Sequence, residues 1–505
     1  MNQSSSDFNI GDSPLPLSRF FMIGFLLMVF SFMFSSCADE SNGPLSQLSF
    51  SRDTVLFDTV FTQMGSHTEV FLIRNSGNQS VKLSRVYLGG GSTSTYRFNV
   101  NGYPGGTANL VEDVEIDAND SIYVFVEVTL DPNLAYAPLI HEDSLVVELG
   151  SAYKKATLVA FGQDAHYFYP TDTLSGAGIP YSIIPCDMVW TNEKPYVIVG
   201  WAVVDSDCKL TIQPGARVHF FNNGALWIYQ DGTLRVLGER ENPVVFQGTR
   251  LEHKYRNEPG QWDRILINEG STQNIIRNAI IKNGFIGLQC DNYKSIINNP
   301  GTPNQLTLEN VVIQNMSGLG IYTNHYNLRA YNILVNNCGQ YAAAFAYGGN
   351  IEIYHSTIVN YWSRSIRNFP ALFMNNFYIT QSAVLSQPLN ANFYNCIFYG
   401  NAETEIGWDS VTTTTLQFRF DHCLLKMHPD ISTTNTNRFY EIVKNADPKF
   451  WDSYNQDFRI KSGSSAMNKG QASFVTNHNN ELLFDLKGSN RLWTGKPDLG
   501  AYEHP

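Results

Sequence analysis

Six times between Asn278 and Met427 the chain repeats one phrase. It is Asn or His, any residue, two residues that are nearly always bulky and apolar, any residue, then usually Asn. The copies are NAIIKN (278–283), NVVIQN (310–315), NILVNN (332–337), HSTIVN (355–360), NCIFYG (395–400) and HCLLKM (422–427). Their starts lie 32, 22, 23, 40 and 27 residues apart. A period in the twenties marks a solenoid, in which each repeat buries its apolar face only by stacking on the next. The two short spacings fit one coil of a right-handed parallel β-helix, and the longer ones fit coils with inserted loops. At the corners of such coils Asn tolerates a left-handed backbone and bonds to the Asn above and below it. His355 and His422 then stand in as corner residues rather than as catalytic ones.

The chain has 505 residues, enough for two or three domains. With 16% charged residues and a net charge of −12 it lacks the basic surface that nucleic-acid binding requires. Few charges, abundant Asn and Thr, and 13% aromatic residues suit an extracellular β-rich protein. Residues 1–37 read as an export signal. Phe20 to Phe34 is an apolar run preceded by Arg19, too short to span a bilayer and of the length of a signal-peptide core. Asp7 and Asp12 precede the single Arg19, which leaves the true start open. The run ends in Phe34-Ser35-Ser36-Cys37, which resembles the lipobox of bacterial lipoproteins, in which the cysteine is lipidated. An ordinary cleaved signal with an incidental Cys37 is the alternative. Ala38-Asp39-Glu40 is similar to the surface-export signal of lipoproteins in the Bacteroidetes group. That resemblance implies an outer-membrane protein, lipid-anchored and facing the cell exterior, on a polar linker at 38–47.

Residues 48–165 alternate like strands, at Thr54–Phe61, Glu69–Asn75, Lys82–Leu88, Ser121–Leu130, Ser144–Leu149 and Ala156–Phe161, with turn sequences between them. They predict an Ig-like β-sandwich without the Cys…Trp…Cys signature, similar to the bacterial Ig-like modules that precede larger domains in surface proteins. A connecting segment follows at 166–208. Cys186 and Cys208 bracket its end and form a disulfide candidate in an exported chain, with a free buried pair as the alternative. Cys396 and Cys423 hold the same repeat position and read as stacked core thiols. No spacing of Cys or His suggests a metal site, and no cofactor is implied.

The solenoid is expected over 209–445. LTIQPGARVHF followed by GTLRVLG resembles the entry coils of bacterial right-handed β-helix proteins of the pectate-lyase-like superfamily. Gln261-Trp262-Asp263-Arg264-Ile265 is similar to that group's G-x-W-x-G-I coil, with Arg264 where Gly is usual. At 446–505 the phrases DPKF, SSAMNKG and PDLGAYE resemble its terminal segment, with Asn468 in place of the usual Asp. The resemblance implies a C-terminal coil and cap covering the last coil, with Asp485, Arg491 and Asp498 as internal ion pairs. That superfamily hosts many activities, so membership supplies none.

Period-two alternation sorts the residues before each corner into inward and outward sets. Three before the corner, the outward column reads Thr307, Arg329, Glu352, Asn392, Arg419; one before it reads Glu309, Tyr331, Tyr354, Tyr394, Asp421. The candidate ligand-binding residues are Arg329, Tyr331, Glu352, Tyr354, Tyr394 and Arg419, with no catalytic residue assigned. Glu309, Glu352 and Asp421 are the outward carboxylates, and no close acid pair of the kind glycoside hydrolysis needs appears among them. The reading is non-catalytic binding of a polysaccharide or other surface ligand, with the membrane reached through the lipid anchor. A polysaccharide lyase or glycoside hydrolase working on this face is one alternative, and a structural or adhesin surface protein is the other.

Overall fold

The computed structural model describes residues 45–131, 139–292, 304–478 and 481–504. The expected lipidated Cys37 lies outside them. The protein is all-β, with a 27-stranded, largely parallel sheet as its main element. The described residues divide into two compact units: one takes 45–55, 67–127 and 142–158, and the other takes 56–66, 128–131, 139–141 and the described residues from 159 onward.

In the first unit Glu69–Asn75 pairs antiparallel with Leu48–Phe50 on one side and Ser121–Val128 on the other. In a second five-stranded sheet Val81–Leu88 lies between Leu139–Leu149 and Leu110–Ile116, again antiparallel. Alternation places Phe71, Ile73, Val81, Leu83, Val124 and Val126 in the core. Tyr96–Val100 and Leu110–Ile116 are strands that the sequence reading did not contain.

The parallel sheet starts at His166–Phe168, which pairs with Tyr196–Val204, and Val189–Trp190 pairs with Lys209–Ile212. The segment expected to connect two domains therefore already belongs to the sheet, 43 residues ahead of Lys209. Its Pro, Gly and aromatic content hid short strands whose partners lie ahead in the chain. Cys186 and Cys208 are disulfide-bonded, with Cα atoms 4.8 Å apart.

From about Asn274 each coil has three strands, the winding of a parallel β-helix. First-face strands include Asn327–Tyr331, Gly349–Tyr354, Leu389–Tyr394 and Leu416–Asp421. Second-face strands include Leu334–Cys338, Thr357–Asn360 and Ile397–Gly400, and third-face strands include Ile321–Asn324, Ala343–Ala346 and Leu372–Asn375. The interior is a continuous stack of Leu, Ile, Val, Phe and Cys side chains running from Ile184 to Phe439.

The repeated phrase occupies the second face and its two corners. Asn278, Asn310, Asn332, His355, Asn395 and His422 all have φ between +45° and +55°, a conformation that Asn adopts at low cost. Their side chains stack: Asn332 Nδ2 donates to Asn310 Oδ1 at 3.0 Å, and Asn395 Nδ2 lies 2.8 Å from His355 Nε2. The closing Asn of the phrase repeats the device, with Asn337 Nδ2 donating to Asn315 Oδ1 at 2.6 Å. The 40-residue spacing between His355 and Asn395 holds a hairpin, Phe377–Ile379 with Val384–Ser386, and no extra first-face strand.

Residues 447–478 and 481–504 reach well beyond the last coil. They lie along the second face and join coils far apart in sequence. Phe458, Ile460, Ala466, Leu499, Ala501 and Tyr502 pack on Leu334, Val359, Ile397 and Leu424, while Leu486 and Tyr502 share a cavity with Ile280 and Val312. Polar contacts fix the register: Gln456 to Asn315, Gln471 to Asn395, and Ala501 N to Thr357 Oγ1. The expected ion pairs are also different. Arg491 is fully buried and pairs with Glu503 at 2.6 Å, while donating to the corner Asn332 at 2.8 Å. Asp485 and Asp498 instead accept backbone N–H groups, Asp485 from Lys487, Ser489 and Glu503 and Asp498 from Asn468 and His504.

Candidate functional site

The two outward columns of the first face form in the expected register. Thr307, Arg329, Glu352, Asn392 and Arg419 are successive partners, and so are Glu309, Tyr331, Tyr354, Tyr394 and Asp421. The tyrosines stack as a ladder, with ring centroids 5.6 Å apart for Tyr331–Tyr354 and 4.6 Å for Tyr354–Tyr394. The ladder is not an open platform. Val475, Leu482, Phe474 and His478 of the flanking segment close over it, with the His478 ring 4.5 Å from Tyr354 and Phe474 4.8 Å from Tyr394. Tyr331 is 5% exposed and Tyr354 is 8% exposed, too little for a ligand to stack on. Burial pushes the Tyr331 hydroxyl up to about 12 and raises Tyr354 and Tyr394 as well. A tyrosine acting as a general base needs a shift in the opposite direction.

The column three before the corner stays open. Arg329 is exposed and forks onto Glu352 through Nε at 3.0 Å and Nη2 at 2.8 Å. The hydrogen bond to Glu352 raises the Arg329 pKa further. At the far end Arg419 donates to Asp421 Oδ2 at 2.8 Å from Nη2, and His422 Nδ1 lies 2.7 Å from Asp421 Oδ1. Burial alone would raise Asp421; the hydrogen bonds from His422 and Arg419 outweigh it and hold the carboxyl below the usual range. Glu309 is paired with Arg277 in the coil before. All three outward carboxylates are thus engaged by cations in adjacent positions. Among the described residues no group of three or more His, Cys, Asp or Glu is placed to hold a metal ion.

One further column was missed. Five residues before each corner stand Gln305, Asn327, Asn350, Asn390 and Gln417, in register from coil to coil. Asn350, Asn390 and Gln417 are exposed, and Asn350 donates to Asn327 Oδ1 at 3.0 Å from both its backbone N and Nδ2. The same period-two step that gave the other two columns points to this one. The first face therefore presents two parallel open columns, one of amides and one of charged and polar groups, with coils about 4.8 Å apart. The flanking segment walls them on the tyrosine side.

No family model matches the chain, and no curated protein matches it. Among solved structures it has weak likenesses to a family 123 glycoside hydrolase from Clostridium perfringens and to a protein of unknown function from Porphyromonas gingivalis W83. The first shows 10% identity over 25% of this chain and 29% of that one, with a TM-score of 0.19. The second shows 11% identity over 27% and 58%, with a TM-score of 0.17. The YadV chaperone is matched at 15% identity over 26% and 54%, with a TM-score of 0.16. The chain spans less than two thirds of each of these proteins, and at such scores none of them carries an argument.

Proposed function

We propose that this chain is a lipid-anchored surface protein of the outer membrane, in which an Ig-like module carries a right-handed parallel β-helix that binds an extended, neutral glycan. The observation that carries the reading is the pair of open columns on the first face. One amide per coil recurs at Asn327, Asn350 and Asn390, beside a second column of polar groups at Arg329, Glu352 and Asn392, so the face offers amide donors and acceptors at a fixed interval. A linear polymer of polar units is the ligand that meets such a lattice. The charges on the face are internally paired, and the net charge of −12 disfavours a polyanion. Export through Phe20–Phe34 and lipidation at Cys37 would set the protein where such polymers are found.

Affinity electrophoresis of the full chain in gels containing neutral and uronic-acid polysaccharides tests the reading. Retardation by at least one neutral polymer is expected, and it should be weakened in the double variant Arg329→Ala, Asn350→Ala. Both side chains face water, so the fold should persist. Unchanged retardation in that variant, or none with any polymer, would refute it. Release of new reducing or unsaturated ends in the same assay would make the face catalytic. Separately, Cys37→Ala should move the protein from the membrane to the soluble fraction.

A further inference from the structure

A second concave site lies in the early coils, away from the polar face. Its volume is about 750 Å³, within the roughly 300–1,000 Å³ of small-molecule sites, and its walls include Trp201, Phe221, Phe285, Asp263 and Arg264. The backbone turn at Gly200 opens it: φ is +73°, and a Cβ there would meet Pro180 O at 2.7 Å. That turn follows Val199 and shifts the strand register; Trp201 is half-buried and lies perpendicular to Trp227, with ring centroids 5.7 Å apart and planes at 88°. Phe285, on the same wall, is 40% exposed. The Trp262 ring is instead a core element, stacked on Phe220 at 4.2 Å.

Between these rings sits one ion pair. Arg264 donates from Nε to Asp263 Oδ1 at 2.9 Å, and its Nη1 bonds Gln289 Oε1. Its guanidinium carbon lies 5.7 Å from the Phe285 ring centroid. Asp263 Oδ2 accepts no hydrogen bond among the described residues. The cleft therefore pairs aromatic faces with a fixed donor and a fixed acceptor side by side, and with no net charge.

We propose that this cleft is a separate carbohydrate site that takes a neutral pyranose. The apolar C–H face of the sugar lies on Trp201, where the negative ring face attracts it. Two adjacent hydroxyls span the pair, one accepting from Arg264 and one donating to Asp263 Oδ2. Arg264 is already paired with Asp263, so the cleft has no spare positive charge for a carboxylate and a neutral sugar is preferred over a uronate. The inference does not depend on the polar face and stands if that face binds nothing.

The test is saturation-transfer NMR of the full chain with cellobiose, mannobiose, galactobiose and digalacturonate. At least one neutral disaccharide should bind, with affinity reduced at least tenfold in Trp201→Ala and in Asp263→Asn. The variant Arg329→Ala, Asn350→Ala should bind it unchanged. Should the cleft variants fail to fold, oxidation of the wild-type chain by N-bromosuccinimide decides the matter: the disaccharide should protect Trp201 and leave the exposed Trp451 and Trp493 unprotected. Binding of digalacturonate alone, no binding of any neutral disaccharide, or no selective protection of Trp201 would overturn the proposal.

Discussion

The corner residue Asn332 offers the sharpest test of how the solenoid and its flanking segment hold together. Its Nδ2 donates to Asn310 Oδ1 and to Phe484 O, both at 3.0 Å, and its Oδ1 accepts from the buried Arg491 at 2.8 Å. Asn332→Ala removes two neutral hydrogen bonds at about 1 kcal/mol each and one to a charged donor at about 2 kcal/mol. It also leaves an alanine at φ +52°, which costs about 1 kcal/mol more. The expected loss is about 5 kcal/mol. Asn332→Gly relieves the backbone but not the bonds, so it should cost about 1 kcal/mol less. Because Phe484 and Arg491 both belong to the flanking segment, the damage should be local. Brief trypsin digestion followed by mass spectrometry should show cleavage at Lys487 and Arg491 in both variants, while the coils stay intact. If Asn332→Ala left the segment as protected as in the wild type, the clasp described here would be wrong.

Two other expectations follow from buried charges. Arg367 and Glu405 have side chains 2% and 0% exposed and form two bonds, at 3.0 and 2.7 Å; Glu405→Gln would leave a buried cation, lowering stability by about 3–5 kcal/mol in a denaturation series. Burial pushes the Glu503 carboxyl up to about 7, with Arg491 opposing and Asp498 adding to the shift. Its folded pKa lies above the unfolded value of 4.5, so this stabilisation, about 3 kcal/mol, is complete at pH 4.5 and is lost as pH rises through about 7. The thermal midpoint should therefore fall between about pH 4.5 and 7 and level off above, and the slope should flatten in Glu503→Gln.

Much of the second unit was legible because a solenoid writes its geometry in one dimension. The corner phrase located the left-handed residues, and alternation before it gave columns that the register reproduces from Thr307 to Arg419. What failed needed three dimensions. The phrase holds two adjacent apolar residues, such as Val312 and Ile313 or Leu424 and Leu425, and one of each pair must point outward. A strand apolar on both faces is covered on both faces, so the repeats implied a layer over the second face. The sequence could not say that residues 447–504 supply it, nor that the same layer would close over Tyr331 and Tyr354. The early strands at His166–Phe168 and Val189–Trp190 were too short for alternation to register. Likewise the Gly200 turn, which shifts the strand register before Trp201, leaves no periodic trace.

The flanking segment changes the cooperativity of the solenoid. A stack of coils in which each touches only its neighbours can fray from either end, one coil at a time. Here a single stretch of chain touches coils from Ile280 to Val443, so opening any one of them strains the same clasp. It also follows all the coils in sequence. Until residues 458–502 are in place, Val312, Leu334, Ile397 and Leu424 have no cover from them.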